Sequence, residues 1–174
     1  MFTGVFFILA FSRKENHRRA AFYMFLAFAA LSVLGTITQI SFARPRPFVT
    51  LQSIGKFILP PVGLPSFPSG HSYGVVGLTT VLWLSLREDR KLLYLLTLDA
   101  ALVCFSRVYV GAHYPMDVIA GIFFGIAVGS GIMIFQRKLD IVFRRLDILW
   151  KTKVVGYVEE KEEKIESGEK KSPS

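Results

Sequence analysis

Apolar residues along the chain fall into long uncharged blocks, and polar residues fall into the short intervals between them. Ala20 to Ala43 holds no charged residue. A helix rises about 1.5 Å per residue, so about 20 residues cross a hydrocarbon core of about 30 Å. A soluble amphipathic helix would carry a polar stripe at a period near 3.6 residues, and this block has none. The pattern therefore predicts a membrane helix from Ala20 to about Phe42, a shorter span from Ser69 to Leu86, another from Lys91 to about Tyr109, and a last from Pro115 to Phe135. Met1 to Ser12 is apolar but short, and reads as the remainder of a span that starts before this sequence. The Pro- and Gly-rich stretch 44–68 reads as a long loop. The expected fold class is all-α: a polytopic transmembrane helical bundle with about four full spans and a partial N-terminal one.

Two regions follow the last span. Leu139, Val142, Phe143, Leu146 and Leu149 recur at helical spacing among Arg137, Lys138, Arg144, Arg145 and Lys151, which predicts a basic amphipathic helix over 137–158 lying on the cytoplasmic leaflet. Residues 159–174 are rich in Glu, Lys and Ser and are expected to be disordered. The membrane domain is thus 1–136. Within it, Gly121, Gly125 and Gly129 leave one face of the last span as bare backbone, against which a neighbouring helix can pack closely.

The net charge is +8, a value that would suit nucleic acid. The cations, however, cluster at the ends of apolar blocks, at Arg13-Lys14, Arg18-Arg19, Arg87/Arg90/Lys91 and 137–153. That is the pattern of cytoplasmic anchors, so no nucleic-acid partner is expected. The single cysteine, Cys104, allows no intrachain disulfide. The same charges place loop 43–68 and the turn at 107–115 together on the non-cytoplasmic face, and the expected location is the plasma membrane.

Those two segments hold most of the chain's unusual polar residues: Arg44-Pro-Arg-Pro47, Pro65-Ser-Phe-Pro-Ser-Gly-His-Ser72, and Ser106-Arg-Val-Tyr-Val-Gly-Ala-His-Tyr-Pro-Met-Asp117. Guanidinium forks match phosphate oxygens. Ser69 suits a helix N-cap and Gly70 allows close backbone approach, so the helix start there suits an anion. His113 and Asp117 are four apart across Pro115, a spacing that lets the carboxylate reach the imidazole, fix its tautomer and leave the other ring nitrogen as nucleophile. His71 is then the acid that protonates the leaving oxygen. No Cys, His and carboxylate cluster has metal-ligand spacing, so neither a metal nor a cofactor is expected. Asp99 sits mid-span without a catalytic role and reads as a buried, hydrogen-bonded or protonated residue.

These segments resemble the type-2 phosphatidic acid phosphatase family, which shares its site with vanadium haloperoxidases. The family pattern is Lys-x6-Arg-Pro, Pro-Ser-Gly-His and Ser-Arg-x5-His-x3-Asp. Here it is matched by Arg46-Pro47, by Pro68-Ser69-Gly70-His71, and by Ser106-Arg107 with His113 and Asp117. The resemblance runs over about 1–136. It implies a six-helix membrane core whose first helix and most of the second lie outside this sequence. It also implies attack on phosphorus by His113, a proton from His71, and phosphate oxygens held by Arg46, Ser69, Gly70 and Arg107. The implied substrates are phosphatidic acid, phosphatidylglycerophosphate or a polyprenyl pyrophosphate. The family lysine falls at Gln39, so one phosphate-binding charge is lost; Arg44 is the first residue to consider as its replacement. The expected function is hydrolysis of a lipid phosphate monoester or pyrophosphate through a phosphohistidine. The rivals are a weak or inactive lipid head-group binder using the same arginines, and a haem protein ligated by His71 and His113, which leaves the arginines unexplained.

Overall fold

The computed structural model describes residues 2–50, 65–149 and 152. Among them there is no strand, and the chain is a bundle of helices: α1 (Phe2–Ala10), α2 (Glu15–Phe42), α3 (Pro47–Thr50), α4 (Gly70–Ser85), α5 (Arg90–Tyr109) and α6 (Pro115–Ile134). Contacts divide the chain at Phe135, and everything from α1 to α6 belongs to the first unit.

Helices α2, α5 and α6 are long and apolar enough to cross a membrane. Helix α4, the shorter span expected from the sequence, has 16 residues, about 24 Å at 1.5 Å per residue. It is the central helix: α2, α5 and α6 all pack against it, and α1 packs on α2. Its burial explains its composition. Val81 and Leu82 are fully enclosed, while the outer helices present Phe25, Phe28, Ile37, Leu98, Leu102, Phe105 and Phe123 outward. Large exposed apolar side chains at helical spacing fit a lipid solvent and would be a liability in water. Several hydroxyls in these helices are satisfied locally. Ser32 and Thr38 donate to Phe28 O and Leu34 O in α2, and Thr79 and Thr80 to Val75 O and Val76 O in α4, so these four leave no unpaired polar group in hydrocarbon.

The glycine stripe of α6 faces α4. A Cβ on Gly125 would stand 2.6 Å from Tyr73 O, and one on Gly129 would stand 2.7 Å from Gly77 O. Both are main-chain atoms that no rotamer change can move. Gly77 is itself on the contact, so backbone meets backbone along α4 and α6.

The turns sort into two ends. At one, His17 in α2 bonds Asp89 at the head of α5 (3.1 Å) and Ser12 in the α1–α2 turn (3.1 Å), among the basic residues at 13–19 and 87–91. At the other lie the C-terminus of α2, α3, the start of α4 and the α5–α6 turn. The long loop expected over 44–68 contains α3, and 51–64 lie outside the described residues. Asp99 is half-buried on α5 rather than enclosed.

Residues 136–149 are helical, and 150–151 and 153–158 of the expected segment lie outside the described residues. Within this segment Phe143 is buried, and Val142, Leu146 and Leu149 are exposed. The tail 159–174 lies outside the described residues.

Gly125→Ala should lower the thermal unfolding temperature in detergent, since overpacking against fixed backbone costs about 1–3 kcal/mol or more. Gly131→Ala, on the same helix with nothing within 4 Å of its Cβ, should not. Equal stability of the two variants would refute the contact as the packing constraint.

Candidate active site

The site is assembled where α2, α4 and α6 meet. Helix α2 ends at Ala43, which turns through the left-handed region (φ 43°) and directs Arg44-Pro-Arg-Pro47 across the bundle. Helix α6 begins with Pro115 at its first turn, where the missing N–H costs nothing. Asp117 then falls in the first turn of α6, fully buried, and accepts the N–H of Tyr114 at 3.0 Å. The main chains of α4 and α6 are joined here: Ser69 N–H donates to Asp117 O at 3.0 Å. This bond ties the start of one motif to the end of the other.

Asp117 gathers the site. One carboxylate oxygen accepts from Arg44 Nη1 at 2.7 Å. The other accepts from the Ser66 hydroxyl and from Tyr114 N–H. Arg44 also lies over the Tyr114 ring, 4.1 Å from its centre, and the Tyr114 hydroxyl bonds Thr50 of α3 at 2.6 Å.

His113, 2% exposed, departs from the sequence expectation. Its Nδ1 lies 3.9 Å from Asp117, beyond hydrogen-bonding distance. The Nδ1–H donates instead to the main-chain carbonyl of Ser66 at 2.7 Å. The cause is local. Tyr114 precedes the helix in extended backbone (ψ 153°), and the carboxylate of Asp117 is turned back onto the Tyr114 N–H and toward Arg44. The tautomer consequence is the one expected, because a neutral ring protonated at Nδ1 keeps its lone pair on Nε2. Burial, then the nearby Arg46 charge, pull the His113 pKa down to about 4, with His71 adding a smaller push; the Ser66 carbonyl and Asp117 oppose them. The ring is therefore neutral at pH 7.

The other candidates converge on the same end. His71 is exposed in the first turn of α4. Arg46 is half-buried, and burial and Arg107 lower its pKa while Asp117 raises it. Arg107, at the end of α5, donates from Nε and Nη2 to the Ser106 hydroxyl at 3.2 and 3.1 Å. Ser69 occupies the N-cap position of α4 but makes no side-chain cap; its hydroxyl accepts from Ser72 at 3.0 Å. The first turn of α4 thus lacks a side-chain cap, and Gly70 has only the Gln39 amide and the Tyr73 ring near its missing Cβ.

The two residues considered for the missing lysine have other partners. Gln39 donates to Pro68 O at 3.0 Å, holding the turn before α4, and Arg44 is paired with Asp117. Ser66 carried no signal in the sequence beyond lying three residues before Ser69. Its role depends on a partner 47 residues away. Among the described residues, no three of His, Cys, Asp and Glu are grouped to hold a metal ion.

The chain is 28% identical to undecaprenyl-diphosphatase BcrC of Bacillus subtilis over 82% of its own length and 69% of that protein. It is 34% identical to an undecaprenyl-diphosphatase of Sulfolobus acidocaldarius over 66% of this chain and 52% of that one. A lipid A 1-phosphatase of Rhizobium johnstonii is 31% identical over 78% of this chain and 52% of its own. The chain therefore spans about half the length of the latter two. The crystal structure of Aquifex aeolicus LpxE superimposes with a TM-score of 0.63 at 31% identity, covering 76% of this chain and 74% of that one. The fold is shared as well with a transmembrane phosphatidylglycerolphosphate phosphatase of Bacillus subtilis, at a TM-score of 0.59 and 24% identity over 78% of this chain and 67% of that one. A sequence model of the PAP2 superfamily matches residues 1–141, and the chain is an integral membrane member of that family.

Proposed function

We propose that the chain is a membrane phosphatase that hydrolyses a lipid phosphate ester or pyrophosphate, with a polyprenyl pyrophosphate as the first substrate to try. The observation that carries this reading is His113: a buried neutral imidazole whose Nδ1–H is committed to Ser66 O, beside Arg46 and His71. The names of the relatives, two undecaprenyl-diphosphatases and a lipid A 1-phosphatase, support the substrate class.

The chemistry follows from the groups present. Arg46 and Arg107, with the Ser69 hydroxyl and the Gly70 N–H at the start of α4, hold the phosphoryl oxygens and offset charge in the transition state. The Nε2 lone pair of His113 attacks phosphorus. The bond to the leaving oxygen breaks as His71 donates its proton to it. Water then attacks the phosphohistidine, giving its proton to His71, and inorganic phosphate leaves as Nε2 recovers its lone pair. No step calls for a divalent metal. The rival, a lipid head-group binder without turnover, uses the same arginines but gives the His113 lone pair nothing to do.

Purified protein in detergent with chelator should release inorganic phosphate from at least one of phosphatidic acid, phosphatidylglycerophosphate and a polyprenyl pyrophosphate. It should also form an acid-labile phosphohistidine. His113→Ala should abolish both while still folding; retention of a tenth of the turnover would sink the assignment, and no release from any substrate would favour the binder.

The pH profile follows from the lowered His113 pKa of about 4. Above that value the ring is neutral and able to attack, and below it protonation blocks Nε2. The His113 limb of kcat/KM, which reports the free enzyme, should therefore fall only as pH drops through about 4. A His113 titration near 6.5, followed by its ring resonances, contradicts this.

The positive-inside pattern supports a site on the non-cytoplasmic face of the plasma membrane. A cysteine at Val49, exposed beside Arg46, should react with an impermeant thiol reagent in intact cells, and one at Arg13 should not. The opposite labelling refutes the orientation.

A further inference from the structure

Asp117 does not touch His113 directly, and the residue between them has no assigned role. Ser66 is fully buried and is held by each of its polar groups. Its N–H donates to Arg44 O at 2.7 Å, its hydroxyl donates to Asp117 Oδ2, and its carbonyl accepts the Nδ1–H of His113 at 2.7 Å. Arg44 enters twice, through its carbonyl on Ser66 and through its guanidinium on Asp117. Arg44, Ser66 and Asp117 thus close into one hydrogen-bonded ring around a buried carboxylate, and His113 is attached to it through the Ser66 carbonyl.

We infer that Ser66 is a positioning residue through which Asp117 sets the tautomer and orientation of His113, with Arg44 clamping the pair. This rests on the reading of His113 as the nucleophile. The orienting acceptor is the Ser66 carbonyl, and the carboxylate acts at one remove. It anchors the Ser66 hydroxyl, so the carbonyl keeps its aim as the ring gains positive charge on phosphorylation. A fixed acceptor in a dry site needs no reorganisation at that moment. A carboxylate in direct contact with Nδ1 would instead draw the proton toward itself; here Arg44, the Ser66 hydroxyl and the Tyr114 N–H saturate it.

The test compares Ser66→Ala, which removes the anchor and keeps the carbonyl, with Ser66→Thr, which restores a hydroxyl. Arg44 and the Tyr114 N–H still hold Asp117 in both, and thermal unfolding in detergent reports folding. Two readouts are taken: steady-state turnover of the best substrate, and the ring nitrogen resonances of His113 in ¹⁵N-histidine-labelled protein, identified by their absence in His113→Gln. The wild type should show the neutral ring protonated at Nδ1. Ser66→Ala should lose about tenfold or more in kcat with KM nearly unchanged, as expected when an interaction matters only during reaction, and its ring should populate both tautomers. Ser66→Thr should recover most of kcat and the single tautomer. A folded Ser66→Ala with wild-type kcat and an unchanged tautomer overturns the inference. Should Ser66→Ala not fold, Ser66→Thr decides: a folded Thr variant with a mixed tautomer overturns it, and one with the wild-type tautomer and turnover supports it. Absence of turnover in the wild type defeats the phosphatase reading alone, because the tautomer comparison still reads the Ser66 role.

Discussion

The close approach of α4 and α6 is the constraint on which the rest of the site depends. Tyr73 O and Gly77 O lie where side chains on Gly125 and Gly129 would have to be, so the two helices are held at a separation that only glycine allows. That separation brings Ser69 N–H within 3.0 Å of Asp117 O. Without it, the Pro-Ser-Gly-His turn and the His-x3-Asp turn would sit on neighbouring helices without sharing a hydrogen bond. In lipid there is little hydrophobic force between helices, so close packing along this seam is also what holds the centre of the bundle.

Gathering cations is the second constraint. Arg46 lowers the His113 pKa, Arg107 acts on Arg46, and both guanidiniums act on His71 in the first turn of α4. Such a cluster repels itself until an anion arrives. Asp117 offsets part of this, acting favourably on both Arg46 and His113 while paired with Arg44. A buried carboxylate needs hydrogen-bond partners, and Asp117 has three. It thereby serves packing and electrostatics together: its main-chain oxygen fastens α4 to α6, and its side chain fastens Ser66 and Arg44.

Gln39 shows how the network is tuned away from the family pattern. Where the pattern has lysine, the amide spans from the end of α2 to Pro68 O. A neutral hydrogen bond contributes about 0.5–1.5 kcal/mol, against about 1.5–3 for one to a charged group. The position thus supports the turn that presents Ser69 and His71 without adding charge to the cluster.

Much of the fold was legible in the chain because it follows from local rules. Apolar blocks long enough to cross a bilayer located α2, α5 and α6; Pro115 marked the start of α6; glycines at four-residue spacing marked the face that packs. The gathering of Arg44, Arg46, Ser69, His71, Arg107, His113 and Asp117 at one end followed from alternating helix direction. What tertiary structure alone decided was who bonds whom. The i, i+4 spacing of His113 and Asp117 suggested a direct bond, yet the backbone at Tyr114 turns the carboxylate elsewhere, and a carbonyl 47 residues away takes the Nδ1–H. Arg44, two residues before Arg46, was weighed for phosphate and is found on Asp117. Sequence spacing specifies which groups a helix turn can bring near one another. Partners contributed by a different helix depend on how closely the backbones pack, and that distance is set only when α4 and α6 meet.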